Sequence, residues 1–105
     1  MLESEIEKKL KDKIHALGNG VKCLKFVCPG FSGVPDRIIL LPGAHVIFVE
    51  LKKPGKKERK RQLYVQNRLR KLGFDVYSAV SSIEQIEGIV QRCKEVMNGE
   101  GIYTA

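Results

Sequence analysis

The 105-residue chain has no run approaching the roughly 20 apolar residues that a membrane span requires. Its opening residues, Met1-Leu2-Glu3-Ser4-Glu5, lack the basic and apolar regions of a secretory signal. These absences argue against a membrane and predict a soluble, intracellular (cytoplasmic) protein. Cysteine is scarce: Cys23, Cys28 and Cys93 form no CxxC pair and leave one unpaired in any disulfide scheme, so they read as reduced thiols. His15 and His45 lie far apart with no ligand spacing and read as structural or exposed. The glycine-rich stretch Cys28-Pro29-Gly30-Phe31-Ser32-Gly33 lacks the lysine pattern of a phosphate loop, so neither a nucleotide site nor a small-molecule cofactor follows. Internal repeats, low-complexity tracts, long linkers and coiled-coil patterns are all missing. Residues 1–105 read as one domain, small enough that a partner subunit would help stabilise it.

Acid is also scarce where base is concentrated. The net charge is +7, and between Lys52 and Lys71 ten basic residues accompany the single acid Glu58. Such a block attracts a polyanion through counterion release without reading sequence. Lys53, Lys56, Lys57, Arg59, Lys60 and Arg61 are its candidate DNA contacts. Lys25, on an earlier strand, could face the same phosphate or solvent, and Phe31 could wedge against DNA from a mobile loop.

The block begins at a second feature. Asp36 and Glu50 are separated by thirteen residues, and Lys52 follows two places later. A phosphodiester is anionic and resists attack, and carboxylate oxygens can hold a divalent cation against it. Such a cation lowers the pKa of bound water and neutralises charge on the phosphate, while a lysine beside the developing oxyanion adds to this or orients the water. Residues 46–51 are strand-like, so Glu50 and Lys52 share a face, roughly 7 Å apart. Leu51 points the other way, leaving its carbonyl as a further oxygen ligand. Residues 37–41 form a second strand-like run, joined to the first through Pro42-Gly43-Ala44. A three-residue loop pairs Leu41 with His45 and, counting outward, sets Asp36 opposite Glu50 with Cβ atoms about 5 Å apart. A loop of two or four residues would turn Asp36 to the other face.

The remaining elements follow from periodicity and breakers. Ser4-x-x-Glu7 predicts a capped helix to about Leu17, with Ile6, Leu10, Ile14 and Leu17 as its apolar stripe. Glu3 falls inside that stripe and Glu7 at its edge. A carboxylate facing a core needs a partner or a cation, so both are candidates for the site. Residues 21–28 predict a strand. A basic helix over about 57–72 carries Val65, Leu69 and Leu72, and a strand follows over 74–80. Ser82-x-x-Gln85 opens a last helix striped by Ile83, Ile86, Ile89, Val90, Cys93, Val96 and Met97. The fold class is therefore α/β in the order αβββαβα, a mixed sheet flanked by helices.

Taken together, Gly33-Val34-Pro35-Asp36, Glu50-Leu51-Lys52-x-Pro54-Gly55 and Gln62 on so short a chain resemble the VRR-NUC family of the PD-(D/E)XK nuclease superfamily. The resemblance spans Glu3 to about Val90 and implies a restriction-endonuclease-like fold. It makes Asp36 and Glu50 the metal-binding acids, with Leu51 supplying a carbonyl ligand, Lys52 the catalytic lysine, and Glu3 or Glu7 the helix acid. It assigns Gln62 to a phosphate or a metal-bound water. The implied activity is a Mg²⁺- or Mn²⁺-dependent endonuclease leaving a 5′-phosphate. Stand-alone members resemble Holliday junction resolvases, homodimers on branched DNA, in a phage or bacterial context. Two symmetric incisions suit a two-fold dimer. Its interface would be a sheet edge, a helix face or the tail Glu100–Ala105, where Ile102-Tyr103 is a candidate contact. The alternatives are a nickase or duplex cutter of the same superfamily, a non-catalytic basic DNA-binding module, and an interaction subunit whose charge only maintains solubility.

Overall fold

The computed structural model describes residues 2–99, so the tail from Glu100, with Ile102 and Tyr103, lies outside the described residues. The chain runs α1 (Glu3–His15), β1 (Lys22–Lys25), β2 (Arg37–Leu41), β3 (His45–Leu51), α2 (Lys60–Lys71), β4 (Asp75–Val80) and α3 (Ile83–Met97). This is the αβββαβα order expected. The sheet has the order β1-β2-β3-β4; its first two pairings are antiparallel and β3 pairs β4 in parallel, with α2 as the crossover.

The hairpin register is the one a three-residue loop requires. Leu41 pairs with His45 and Arg37 with Val49, which carries Asp36 to the level of Glu50. Gly43 (φ 79) and Ala44 (φ 61) both take left-handed conformations to close the turn. On one face of the sheet Ile39, Ile47, Val49 and Leu51 pack under α1 and α3, whose Ile6, Leu10, Ile14, Ile86, Ile89 and Cys93 are fully buried. This layer holds most of the core. On the other face Phe48 stacks between Phe26 and Phe74, with ring centroids 5.6 and 5.3 Å away, and α2 lies beside them. No described helix is long and apolar enough to cross a membrane.

Several expected details change. The first helix is entered from Leu2, whose backbone N–H donates to Glu5 Oε1 at 3.0 Å, so Ser4 lies inside the helix and does not cap it. The glutamates at 3, 5 and 7 offer competing cap spacings, and only the fold selects among them. The second helix starts at Lys60, which leaves Lys53, Lys56 and Lys57 on the preceding loop. Leu72 sits at its C-cap with its side chain exposed, so the apolar stripe of α2 is narrower than expected. Ser82 and Gln85 do form a reciprocal cap: Gln85 N–H donates to Ser82 Oγ and Ser82 N–H to Gln85 Oε1.

Cys23 and Cys93 are buried free thiols, and burial pushes both up to about 11, which keeps them protonated. Both histidines have structural partners. His15 Nε2 accepts from the Cys23 backbone N–H at 3.1 Å, and His45 bonds Asp75 at 2.9 Å.

Candidate active site

Strand alternation puts Glu50 on the face opposite the main core, beneath the start of α2. Its side chain is nonetheless completely buried. Asp36, just before β2, turns its Oδ2 to accept from the Leu51 backbone N–H at 2.8 Å, which aims the carboxylate across the hairpin at Glu50. Gln62, in the first turn of α2, is held at both ends of its amide. Its Oε1 accepts from the Arg59 backbone N–H at 2.9 Å, so its Nε2 faces Glu50 Oε2 and donates at 2.9 Å. Because the backbone donor dictates which end is oxygen, Gln62 can only be a donor to Glu50.

Two carboxylates share this partly buried space. Burial, then the neighbouring Asp36 carboxylate, push the Glu50 carboxyl up to about 8, with Glu58 adding to the rise and Lys52 opposing it. Glu50 Oε1 is buried with no hydrogen-bond partner. A buried acceptor left over beside a second carboxylate is the donor type that a hard cation takes, and in their chemistry Asp36 and Glu50 fit a divalent ion. Among the described residues no cluster of three or more His, Cys, Asp or Glu side chains that could hold a metal forms. Lys52 lies on the Glu50 side, its backbone N–H bonded to the Val80 carbonyl at 3.0 Å. Its ammonium makes no ion pair among the described residues.

The helix acids do not join this group. Glu3 is exposed at the first residue of α1, so the argument from the cost of burying it does not hold. Glu7 forms a two-pronged ion pair with Arg37 (Nη2 to Oε1 3.1 Å, Nε to Oε2 3.3 Å). Arg37 pairs with Val49 on the core face, opposite Asp36 and Glu50. Lys25 pairs with Arg37 and takes that same face, not the one with Glu50. Lys53, Lys56, Lys57, Arg59, Lys60 and Arg61 are all exposed around the site, on the loop and the start of α2. Arg61 also ties the loop before Asp36 to the helix: its Nε donates to the Ser32 carbonyl at 3.0 Å.

A supporting network escaped sequence reasoning. Gln66, one turn beyond Gln62, is completely buried; its Nε2 donates to Glu58 Oε2 at 2.7 Å and its Oε1 accepts from Ser78 Oγ. Arg70 donates to Ser78 Oγ at 2.7 Å and to the Val76 carbonyl at 3.1 Å. These bonds dock α2 on β4 through polar groups and hold Glu58 close enough to act on Glu50. The four-residue spacing of Gln62 and Gln66 was the available signal, since it puts both on one helix face. Opposite Glu50 the β3–β4 ladder slips, Val49 pairing with Tyr77 and Leu51 with Val80, and Ala79 absorbs the extra residue at φ 52. Bulges of this kind re-aim strands beside functional sites.

No family model matches the chain. It is 46% identical over 74 residues to a protein of Acyrthosiphon pisum secondary endosymbiont phage 1 called "Putative nuclease p44", a match covering 70% of this chain and 77% of the phage protein. A solved VRR_NUC domain superposes with a TM-score of 0.75 at 31% identity, covering 85% of this chain and 94% of the domain. A second, solved as a VRR_NUC domain protein, superposes with a TM-score of 0.70 over 99% of this chain and 93% of its own length; at 17% identity it speaks to the fold alone. With its fold, its identity to a solved domain and the two-part Pro-Asp and Glu-x-Lys arrangement in agreement, the chain belongs to the VRR-NUC nuclease family.

Proposed function

We propose that the protein is a Mg²⁺- or Mn²⁺-dependent endonuclease that hydrolyses DNA phosphodiester bonds, acting as a homodimer on branched DNA such as Holliday junctions. The observation that carries this reading is the convergence of Asp36 on a buried Glu50 whose second oxygen has no partner. Asp36, Glu50 and the Leu51 carbonyl would hold the ion, which when bound supplies Lewis-acid activation of water and neutralises charge on the scissile phosphate. Gln62 fixes the rotamer of Glu50, and the Leu51 N–H fixes that of Asp36, so the carboxylates are aimed before substrate arrives. Lys52 brings a positive charge to the phosphoryl oxygens as negative charge grows on them. The exposed bases of residues 53–61 hold the DNA backbone against the site without regard to sequence. One small domain offers one such site, and paired incision of a junction then calls for a two-fold dimer.

The test compares nicked, linear, flap and four-way-junction DNA with Mg²⁺, Mn²⁺ and EDTA, alongside sizing of the free protein. Asp36→Ala and Lys52→Ala are expected to abolish cleavage while leaving DNA affinity nearly unchanged. Cleavage that survives Asp36→Ala would overturn the assignment. Metal-independent binding with no incision of any substrate would leave only a basic DNA-binding module.

A further inference from the structure

Between the loop carrying Phe31 and the outer face of α2, from Arg61 to Leu72, lies a cleft of about 390 Å³. Its helical wall is built from Arg61, Tyr64, Val65 and Arg68, which recur at the spacing of a single helix face. Val65 is buried and closes the bottom, whereas Phe31 and Tyr64 stay 45% and 52% exposed. The Arg61 guanidinium lies 4.7 Å from the Phe31 ring centroid and 5.3 Å from that of Tyr64. None of the lining side chains is a carboxylate.

We propose that this cleft is a stacking site for an unpaired nucleobase, so that the preferred DNA carries a single-stranded nucleotide beside the scissile phosphate. The inference rests on the nuclease reading above and narrows its branched DNA to branches that carry an unpaired nucleotide, such as flaps, over fully paired four-way junctions. Two open aromatic rings over an apolar floor suit the face of a planar base, and Arg61 and Arg68 suit the phosphates on either side of it. A base inside a duplex has both faces covered by its neighbours, so only an unpaired one can enter. A clamp that served folding alone would bury its rings; here each ring has Arg61 over it and still keeps about half its surface open to a second stacking partner. Continuity with the site is direct. Arg61 is followed by Gln62, which holds Glu50, and the Ser32 carbonyl that Arg61 grips lies four residues before Asp36. The two walls of the cleft thus lead into the two carboxylates.

The experiment uses the full chain in EDTA, where no cleavage intervenes, with a flap oligonucleotide bearing 2-aminopurine at an unpaired position next to the junction and a fully paired control. Binding of the flap is expected to quench the fluorophore. Tyr64→Leu and Phe31→Leu should each abolish the quench and weaken flap binding about tenfold, the scale of one stacked base, while duplex binding is unchanged. Tyr64→Phe keeps the ring and should keep the quench; far-UV circular dichroism reports whether each variant is folded. Equal weakening on flap and duplex, or an unquenched flap bound as tightly by the variants as by the wild type, overturns the stacking site alone. Failure of the wild type to bind either DNA overturns both this inference and the nuclease reading.

Discussion

Glu50→Gln should stabilise the metal-free protein while destroying its activity. Glu50 is fully buried, satisfies one oxygen through Gln62, and leaves Oε1 without a partner beside the Asp36 carboxylate. A buried unsatisfied acceptor costs about 1–3 kcal/mol. At pH 9, where a Glu50 carboxyl raised to about 8 is ionised, a glutamine at this position keeps an oxygen for Gln62 and turns an N–H₂ toward Asp36, replacing a repulsive pair with a hydrogen bond. The expected gain is about 2 kcal/mol, or about 8 °C in Tm for a domain of this size. Thermal unfolding followed by circular dichroism in EDTA at pH 9 measures it directly, and the gain should shrink as pH falls below 8 and Glu50 takes up a proton. Adding Mg²⁺ should raise the wild-type Tm, because an ion that binds only the folded state stabilises it by mass action. The variant, with one carboxylate left, should gain much less. A lower Tm for Glu50→Gln in EDTA, or equal gains from Mg²⁺ in both proteins, would refute the view that the two acids form an under-compensated cation site.

Three further outcomes probe the scaffold. Gly33 has φ +89, and a Cβ there would stand 2.7 Å from Arg61 Cγ and 3.0 Å from its carbonyl oxygen. Gly33→Ala should therefore cost about 2 kcal/mol or more in urea unfolding and depress DNA cleavage beyond that, since the displaced loop leads to Asp36. Burial alone would raise the Asp75 carboxyl, but hydrogen bonds from His45 and Arg92, each 2.9 Å, hold it below its ordinary value. Its stabilisation is present above the unfolded value of 3.8 and is lost as pH falls through the lower folded one. Asp75→Asn should thus lose about 1–2 kcal/mol at neutral pH and little at about pH 2, and equal losses at both would count against the ion pair. Ala79, left-handed at φ 52, should gain about 0.5–1 kcal/mol when changed to glycine, read from the urea midpoint.

What the sequence made legible was whatever depends on short-range geometry. A Pro-Gly-Ala loop of three residues dictates the register of β2 and β3, and that register by itself carries Asp36 to Glu50. The last helix was equally readable, because an apolar residue on nearly every turn leaves one way to bury it. What was less legible has a different cause. Glu3 and Glu7 sit on a helix with three glutamates at alternate positions, and which of them meets a cation depends on how α1 crosses the sheet; Glu7 meets Arg37 instead. Lys25 depends on strand parity, which the buried Cys23 sets and a four-residue strand does not announce. The docking of α2 was least legible, since Gln66, Ser78 and Glu58 become partners only once a parallel crossover and a bulge bring residues 8 to 12 apart into contact. That docking is also where function is concentrated. A helix fastened by the half-buried Gln62 and the buried Gln66 beside a narrow apolar stripe gives up some packing energy. In exchange its first turn is held against Glu50, where an aliphatic side chain could neither orient a carboxylate nor tolerate one.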